Sequence, residues 1–139
     1  MRVLLDTDVV LDLILDRQPF VQAATQLFEL HEQGRLDIFV AAITLTNVFY
    51  VTRKNKGLDT ARRAVDELLA KVGVCPLDQQ ILEQARKAAF KDYEDAVHTS
   101  ATASGLEAII TRNLSDYKTA TLAVFSPTDF LAKLRSQPT

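Results

Sequence analysis

Acidic and hydroxyl side chains stand directly after short apolar runs in this 139-residue chain. Asp6-Thr7-Asp8 follows Val3-Leu4-Leu5. Thr44, Thr46 and Asn47 follow the run that ends at Ala41. Thr111-Arg112-Asn113 follows Ala108-Ile109-Ile110, with Asp116 three residues further on. A further acidic group, Asp92, Glu94 and Asp95, stands shortly before that last run. Carboxylates drawn together repel one another unless a cation neutralises them, and hard oxygen donors suit Mg2+ or Mn2+. An ion held by a few acids with open positions can bind a phosphodiester, activate water and stabilise the leaving oxygen. Other chemistries have thin support. His31 and His98 are too few for an HExxH zinc site. Cys75 has no partner for a disulfide or a CxxC site, and beside Pro76 it reads as a small hydrophobe. Neither GxGxxG nor GxxxxGK[ST] is present.

Each of these residues also has a plain structural reading. Asp6 can end a strand, and Thr7 or Asp8 can cap the next helix. Negative charge at positions 92, 94 and 95 favours a helix N-terminus by about 0.3–1 kcal/mol each. Asp116-Tyr117 can be a turn, and His98 can sit at the edge of the core. Only the convergence of separate segments lifts the site above these readings.

The elements that must bring about this convergence follow from hydrophobic patterning. Runs at 3–5, 36–41, 72–76, 108–110 and 122–125 are short, rich in Val, Ile, Leu or Phe, and bounded by charge, Gly or Pro. Continuous apolar runs of this kind suit strands covered on both faces, hence a parallel sheet. Helical spacing of apolar residues marks 20–33, 43–54, 59–71, 79–90 and 94–104, and Ser126-Pro127 opens a last helix through Leu134. Asp78 is placed to cap the fourth of these. Gly34, Gly57, Gly73 and Gly105 each fall where a helical pattern stops and read as C-cap punctuation. The order is β-α-α-β-α-α-β-α-α-β-α-β-α. It predicts a three-layer α/β/α sandwich with a mainly parallel five-stranded sheet, as one domain over 1–139. In open sheets of this kind ligands bind beyond the carboxyl ends of the strands, where the acids stand.

Composition narrows the setting. Hydrophobic residues make up 47% and charged residues 24%, the balance of a globular protein. Charges interrupt every apolar stretch, so no membrane span is expected. An acid at position 6 argues against a secretory signal, and the cytoplasm is the expected location. With 16 basic against 18 acidic residues, net charge gives no general attraction to nucleic acid, so a local patch or metal ions must supply it.

Taken together, Val3-Leu4-Leu5-Asp6-Thr7-Asp8-Val9-Val10, Asp95-Ala96 opening a helix of small residues, and Ile109-Ile110-Thr111-Arg112-Asn113 with Asp116-Tyr117 resemble the PIN domain. The resemblance covers nearly the whole chain and is nearest to toxin-like PIN proteins of the VapC type. It implies an α/β/α fold, Mg2+- or Mn2+-dependent hydrolysis of RNA phosphodiester bonds, a homodimer, and a small antitoxin as partner. Carried over by residue, it implies catalytic and metal roles for Asp6, Asp95 and Asp116, with Asp92 as a further metal ligand. Thr7, Asn47 and Asn113 take auxiliary places. Asn47 and Asn113 depart from the family pattern, which has a glutamate and an aspartate there; an amide ligates through oxygen but brings no charge. RNA would pass Arg53, Lys54 and Lys56, then Arg62 and Arg63, with Arg17 and Arg112 nearer the metal. Arg53 to Lys56 read at least equally as a solvated helix end favoured by the dipole.

Two alternatives stay open on sequence. With two amides in place of acids, the chain can be a degenerate PIN fold that only binds RNA or protein. Asp6-Thr7-Asp8-Val9-Val10 also resembles the DxDx[TV] motif of haloacid-dehalogenase-type phosphatases, with Asp6 as nucleophile, Asp8 as acid and Thr44 as the accompanying hydroxyl. The helices at 20–33 and 43–54 carry enough apolar residues for a dimer face or a groove for a partner helix.

Overall fold

A computed structural model describes residues 1–87, 94–118 and 120–137, with only the backbone of Glu94 and Asp95. Strands β1 (Arg2–Leu5), β2 (Asp37–Ala41), β3 (Gly73–Cys75), β4 (Ala108–Ile110) and β5 (Ala123–Phe125) form one sheet in the order β3-β2-β1-β4-β5. Every pairing is parallel, so the sheet is parallel throughout and not merely in the main. The helices are α1 (Thr7–Ile14), α2 (Val21–Glu32), α3 (Ala42–Lys56), α4 (Leu58–Lys71), α5 (Gln79–Lys87), α6 (Glu94–Ala103) and α7 (Pro127–Ser136). A 3-10 turn (Leu114–Tyr117) links β4 to β5. The expected order of elements is met except between β4 and β5, where the 3-10 turn stands in place of the expected helix. The expected helix at 79–90 is observed as far as Lys87; residues 88–90 lie outside the described residues.

Period-two alternation explains why the strands read as unbroken apolar runs. Val3, Leu5, Ile38, Val40, Ala108 and Ile110 face one core with α1, α2, α3, α4 and α7, where Val9, Leu27, Phe28, Val48, Leu68 and Phe130 meet them. Leu4 and Ile109 face the opposite core, with Cys75, Val97, Ala101, Leu106 and Tyr117. Leu4, Leu5, Ile38, Ile109 and Ile110 are each fully buried, which contributes about 1.5–3 kcal/mol per side chain. Cys75 packs here as the small hydrophobe expected, and burial pushes its thiol up, away from the reactive thiolate.

Helix ends follow local chemistry. Asp78 Oδ1 accepts from the Ile81 N–H at 2.9 Å, and Ser126 Oγ from the Asp129 N–H at 3.1 Å. Gly34 and Gly105, at φ +73° and +75°, close α2 and α6, with the next residue's N–H returning five residues to Leu30 and Ala101. Asp16 does the same for α1 at φ 53° without being a glycine: Arg17 N–H returns to the Asp12 carbonyl at 3.0 Å. Gly73 departs from the expectation. It is no helix cap but the first residue of β3, and the Phe39 ring lies where its Cβ would be. Position 73 is glycine because the neighbouring strand's aromatic ring needs that space.

Candidate functional site

The site grows from the middle of the sheet. β1 is central and pairs on one side with β2 and on the other with β4, with Leu5 opposite Ile110. The chain order reverses between β1 and β4, so the loops leaving their carboxyl ends diverge and open a crevice. Asp6 follows β1 directly and its N–H donates to the Ile110 carbonyl at 3.0 Å. That bond extends the ladder by one step and fixes Asp6 beside Thr111.

Asp6 caps α1. Its Oδ1 accepts from the Thr7 N–H at 2.9 Å, and its Oδ2 from the Thr111 hydroxyl at 2.9 Å. Burial pushes the Asp6 carboxyl above its ordinary value and the charge of Asp116 adds to this, while hydrogen bonding from Thr7, Thr111 and Tyr117 pulls it down. Asp116, exposed on the 3-10 turn after β4, is thus within electrostatic reach of Asp6 across a gap of 110 positions in sequence. Thr7 turns away from the carboxylates: its hydroxyl bonds that of Thr44, buried in the first turn of α3, at 2.9 Å. Asn47 stands one turn further along α3 from Thr44 and is exposed, as is Asn113.

Asp8 is held back from solvent work. Its Oδ1 accepts from the Val9 N–H at 2.7 Å and its Oδ2 from the Arg112 N–H at 3.0 Å. Burial and the charge of Asp6 push its carboxyl up to about 6, against the Arg112 N–H, the Val9 N–H and the Arg112 charge.

Asp12, four residues further along α1, escaped the sequence reading. It is 1% exposed and takes the Arg112 guanidinium in a two-point grip, Nε to Oδ2 at 2.7 Å and Nη2 to Oδ1 at 3.0 Å. Arg17 approaches the same carboxylate at 3.8 Å. Phe20 stacks on the other side of the Arg112 guanidinium, 3.8 Å from ring centroid to its central carbon. The ion pair raises Arg112 above its ordinary value, chiefly through the hydrogen bonds to Asp12. A lone acid within the apolar run Val9–Leu15 was the available signal, because a charge there demands a cation partner.

The remaining expected residues divide by place. α6 opens with Glu94 and Asp95 and packs against the 3-10 turn that carries Asp116. The side chain of Asp95 and all of Asp92 lie outside the described residues. Among the described residues no three His, Cys, Asp or Glu side chains gather closely enough to hold a metal by themselves. Arg53, Lys54 and Lys56 are exposed at the far end of α3, roughly 14–18 Å along the helix from Thr44 at 1.5 Å per residue. Arg62 and Arg63 lie on α4. His98 is a core residue: its Nε2 accepts from the Thr121 N–H at 3.0 Å, at the entry to β5. No described helix is long and apolar enough to cross a membrane.

A sheet of this order, with an acid capping the helix after its central strand and a second acid facing it from beyond β4, matches a family model described as PIN domain over residues 2–115. The chain belongs to the PIN domain family. Solved structures agree on the fold. DNA-bound VapBC from Salmonella typhimurium aligns with a TM-score of 0.69 at 18% identity, covering 91% of this chain and 98% of that one. A toxin-antitoxin complex from Klebsiella pneumoniae aligns with a TM-score of 0.67 at 22% identity, covering 90% and 97%. VapC20 from Mycobacterium tuberculosis, a toxin that cleaves the sarcin-ricin loop, aligns with a TM-score of 0.62 at 14% identity, covering 77% and 86%. No curated protein sequence matches the chain at a significant level. Family membership decides between the two resemblances of Asp6 to Val10 in favour of the PIN domain, and Thr44 is engaged with Thr7 in its support.

Proposed function

We propose that the protein is a Mg2+- or Mn2+-dependent endoribonuclease and the toxin of a toxin–antitoxin pair. The observation that carries this reading is Asp6: a half-buried carboxylate at the carboxyl end of the central strand, raised by desolvation, with the charge of Asp116 within reach. Among the described residues none places a cation on Asp6, and the Arg112 guanidinium is given to Asp12. Oxygen donors with an uncompensated negative charge fit a hard divalent ion. Asp6, Asp95 and Asp116 would hold it, with Asp92 as a further ligand and Asn113 and Asn47 as neutral oxygen donors at the margin. Such an ion supplies Lewis-acid activation of water and of the phosphodiester.

The chain's own residues do the rest. Thr111 and the Thr7 N–H fix the orientation of the Asp6 carboxylate. The Thr7–Thr44 bond ties the start of α1 to the start of α3, on the β2 side of the central strand. Arg53, Lys54 and Lys56 are exposed and free to meet phosphates several nucleotides from the scissile bond, which sets affinity more than sequence choice. The solved toxin–antitoxin complexes that share the fold support an antitoxin as partner; a homodimer is the working state expected from the family resemblance.

Single-stranded RNA incubated with purified protein is the test. Cleavage is expected with Mg2+ or Mn2+, and Asp95→Asn should lower its rate by about 10²–10³-fold, the scale of losing one preorganised charge-stabilising group. Full activity in Asp95→Asn, or undiminished activity in excess chelator, rejects the reading.

A further inference from the structure

We propose that Asp12 is a positioning residue for the carboxylate site, acting through Arg112, and that Arg112 is therefore a strut of the site and not a contact for RNA. The inference rests on the nuclease reading above. Its basis is an unbroken chain of short contacts from the buried middle of α1 to Asp6. Asp12 grips the Arg112 guanidinium at 2.7 and 3.0 Å. Two parallel N–H···O bonds fix a guanidinium in plane as well as in position, which one point contact cannot do. Phe20, stacked at 3.8 Å, covers the open face of that guanidinium. The side chain is thereby spent on the interior, with 27% of it exposed.

Holding the side chain holds the backbone. The Arg112 N–H donates to Asp8 Oδ2 at 3.0 Å, a second tie between the same segment and α1. Arg112 is thus fastened to α1 at two carboxylates one helical turn apart, through its backbone at Asp8 and its side chain at Asp12. The residue before it, Thr111, is fully buried. Its hydroxyl accepts from the Asn113 N–H at 3.0 Å and has two acceptors, Asp6 Oδ2 at 2.9 Å and Asp8 Oδ2 at 3.5 Å, of which the shorter and stronger is Asp6. The grip on Arg112 fixes the 111–113 turn, the turn fixes the Thr111 hydroxyl, and the hydroxyl fixes Asp6. Hydrogen-bond partners that orient metal ligands typically carry 10–100-fold of affinity or activity.

Asp12→Asn and Arg112→Lys test this, each read by kcat and KM on a single-stranded RNA, by Mn2+ dissociation constant from electron paramagnetic resonance, and by melting temperature. Asparagine keeps the shape of Asp12 and loses the two-point grip; lysine keeps the charge of Arg112 and loses its fork. Both variants are expected to lower kcat and weaken Mn2+ binding by about 10–100-fold, with KM for RNA changed little. The double variant Asp12→Asn/Arg112→Gln, which removes the buried charge together with its partner, serves where a single variant does not fold and should show the same pattern. If Arg112 instead contacts RNA, Arg112→Lys raises KM at unchanged kcat while Asp12→Asn leaves kcat intact, and the proposal is overturned. Unchanged kcat and Mn2+ affinity in a folded variant overturn it as well. A wild-type protein that neither cleaves RNA nor binds Mn2+ overturns the nuclease reading itself, a result distinct from variants that behave like an active wild type.

Discussion

The two ends of α1 carry desolvated carboxylates with opposite fates. At its second turn Asp12 meets a guanidinium at 2.7 Å and is neutralised from within the chain. At its start Asp6 and Asp8 stand half-buried near each other, their carboxyls are pushed up, and among the described residues no side-chain cation closes on Asp6. The helix N-terminus and the donated N–H groups offset part of that cost. The difference teaches how to separate a structural charge from a functional one. A buried acid whose counter-ion is supplied by the fold holds the fold together. A buried acid left short of positive charge is held there by the fold at a cost, and a ligand cation is what removes that cost.

The sharpest way to break this comparison is to remove each acid in metal-free buffer. Asp12→Ala leaves Arg112 in a half-buried setting without its partner, and should lower stability by about 3–5 kcal/mol in urea unfolding. Asp6→Asn removes a charge that is already poorly compensated, and should leave stability within about 1 kcal/mol of wild type. Equal losses from the two would abolish the distinction. A smaller effect sharpens it through pH. Asp8 titrates near 6 when folded and near 3.8 as a free side chain, so the folded state binds more protons between these values. Its contribution to stability is fully present below pH 3.8 and is lost as pH rises through 6. In chelator, the stability of wild type minus that of Asp8→Asn should therefore fall between pH 4 and 7; a flat or rising difference contradicts the burial argument.

Much of this was legible in the sequence, for identifiable reasons. Strands sandwiched between helical layers must be apolar on both faces, so Val3-Leu4-Leu5 and Ala108-Ile109-Ile110 announce themselves. An acid directly after such a strand, as Asp6, falls on the ligand-binding rim by topology alone. What spacing does not encode is which rims are neighbours. The pairing of Asp12 with Arg112 spans 100 residues and exists because β1 lies beside β4. Without that adjacency, Arg112 reads as a phosphate contact and Asp12 as an unremarked charge. Gly73 shows the same limit: its position after a helical pattern suggests a cap, while its cause is the Phe39 ring on the adjoining strand. Asp16 shows the converse, a left-handed helix end that no glycine advertises.

The central claim is that acids from distant segments share one cation in the crevice between β1 and β4. Anomalous diffraction from a crystal soaked in millimolar Mn2+ tests it most directly. The account predicts a manganese peak coordinated by Asp6 together with carboxylates from α6 and the 3-10 turn, Asp95 and Asp116. A crystal with manganese bound only elsewhere, or with none near Asp6, contradicts it.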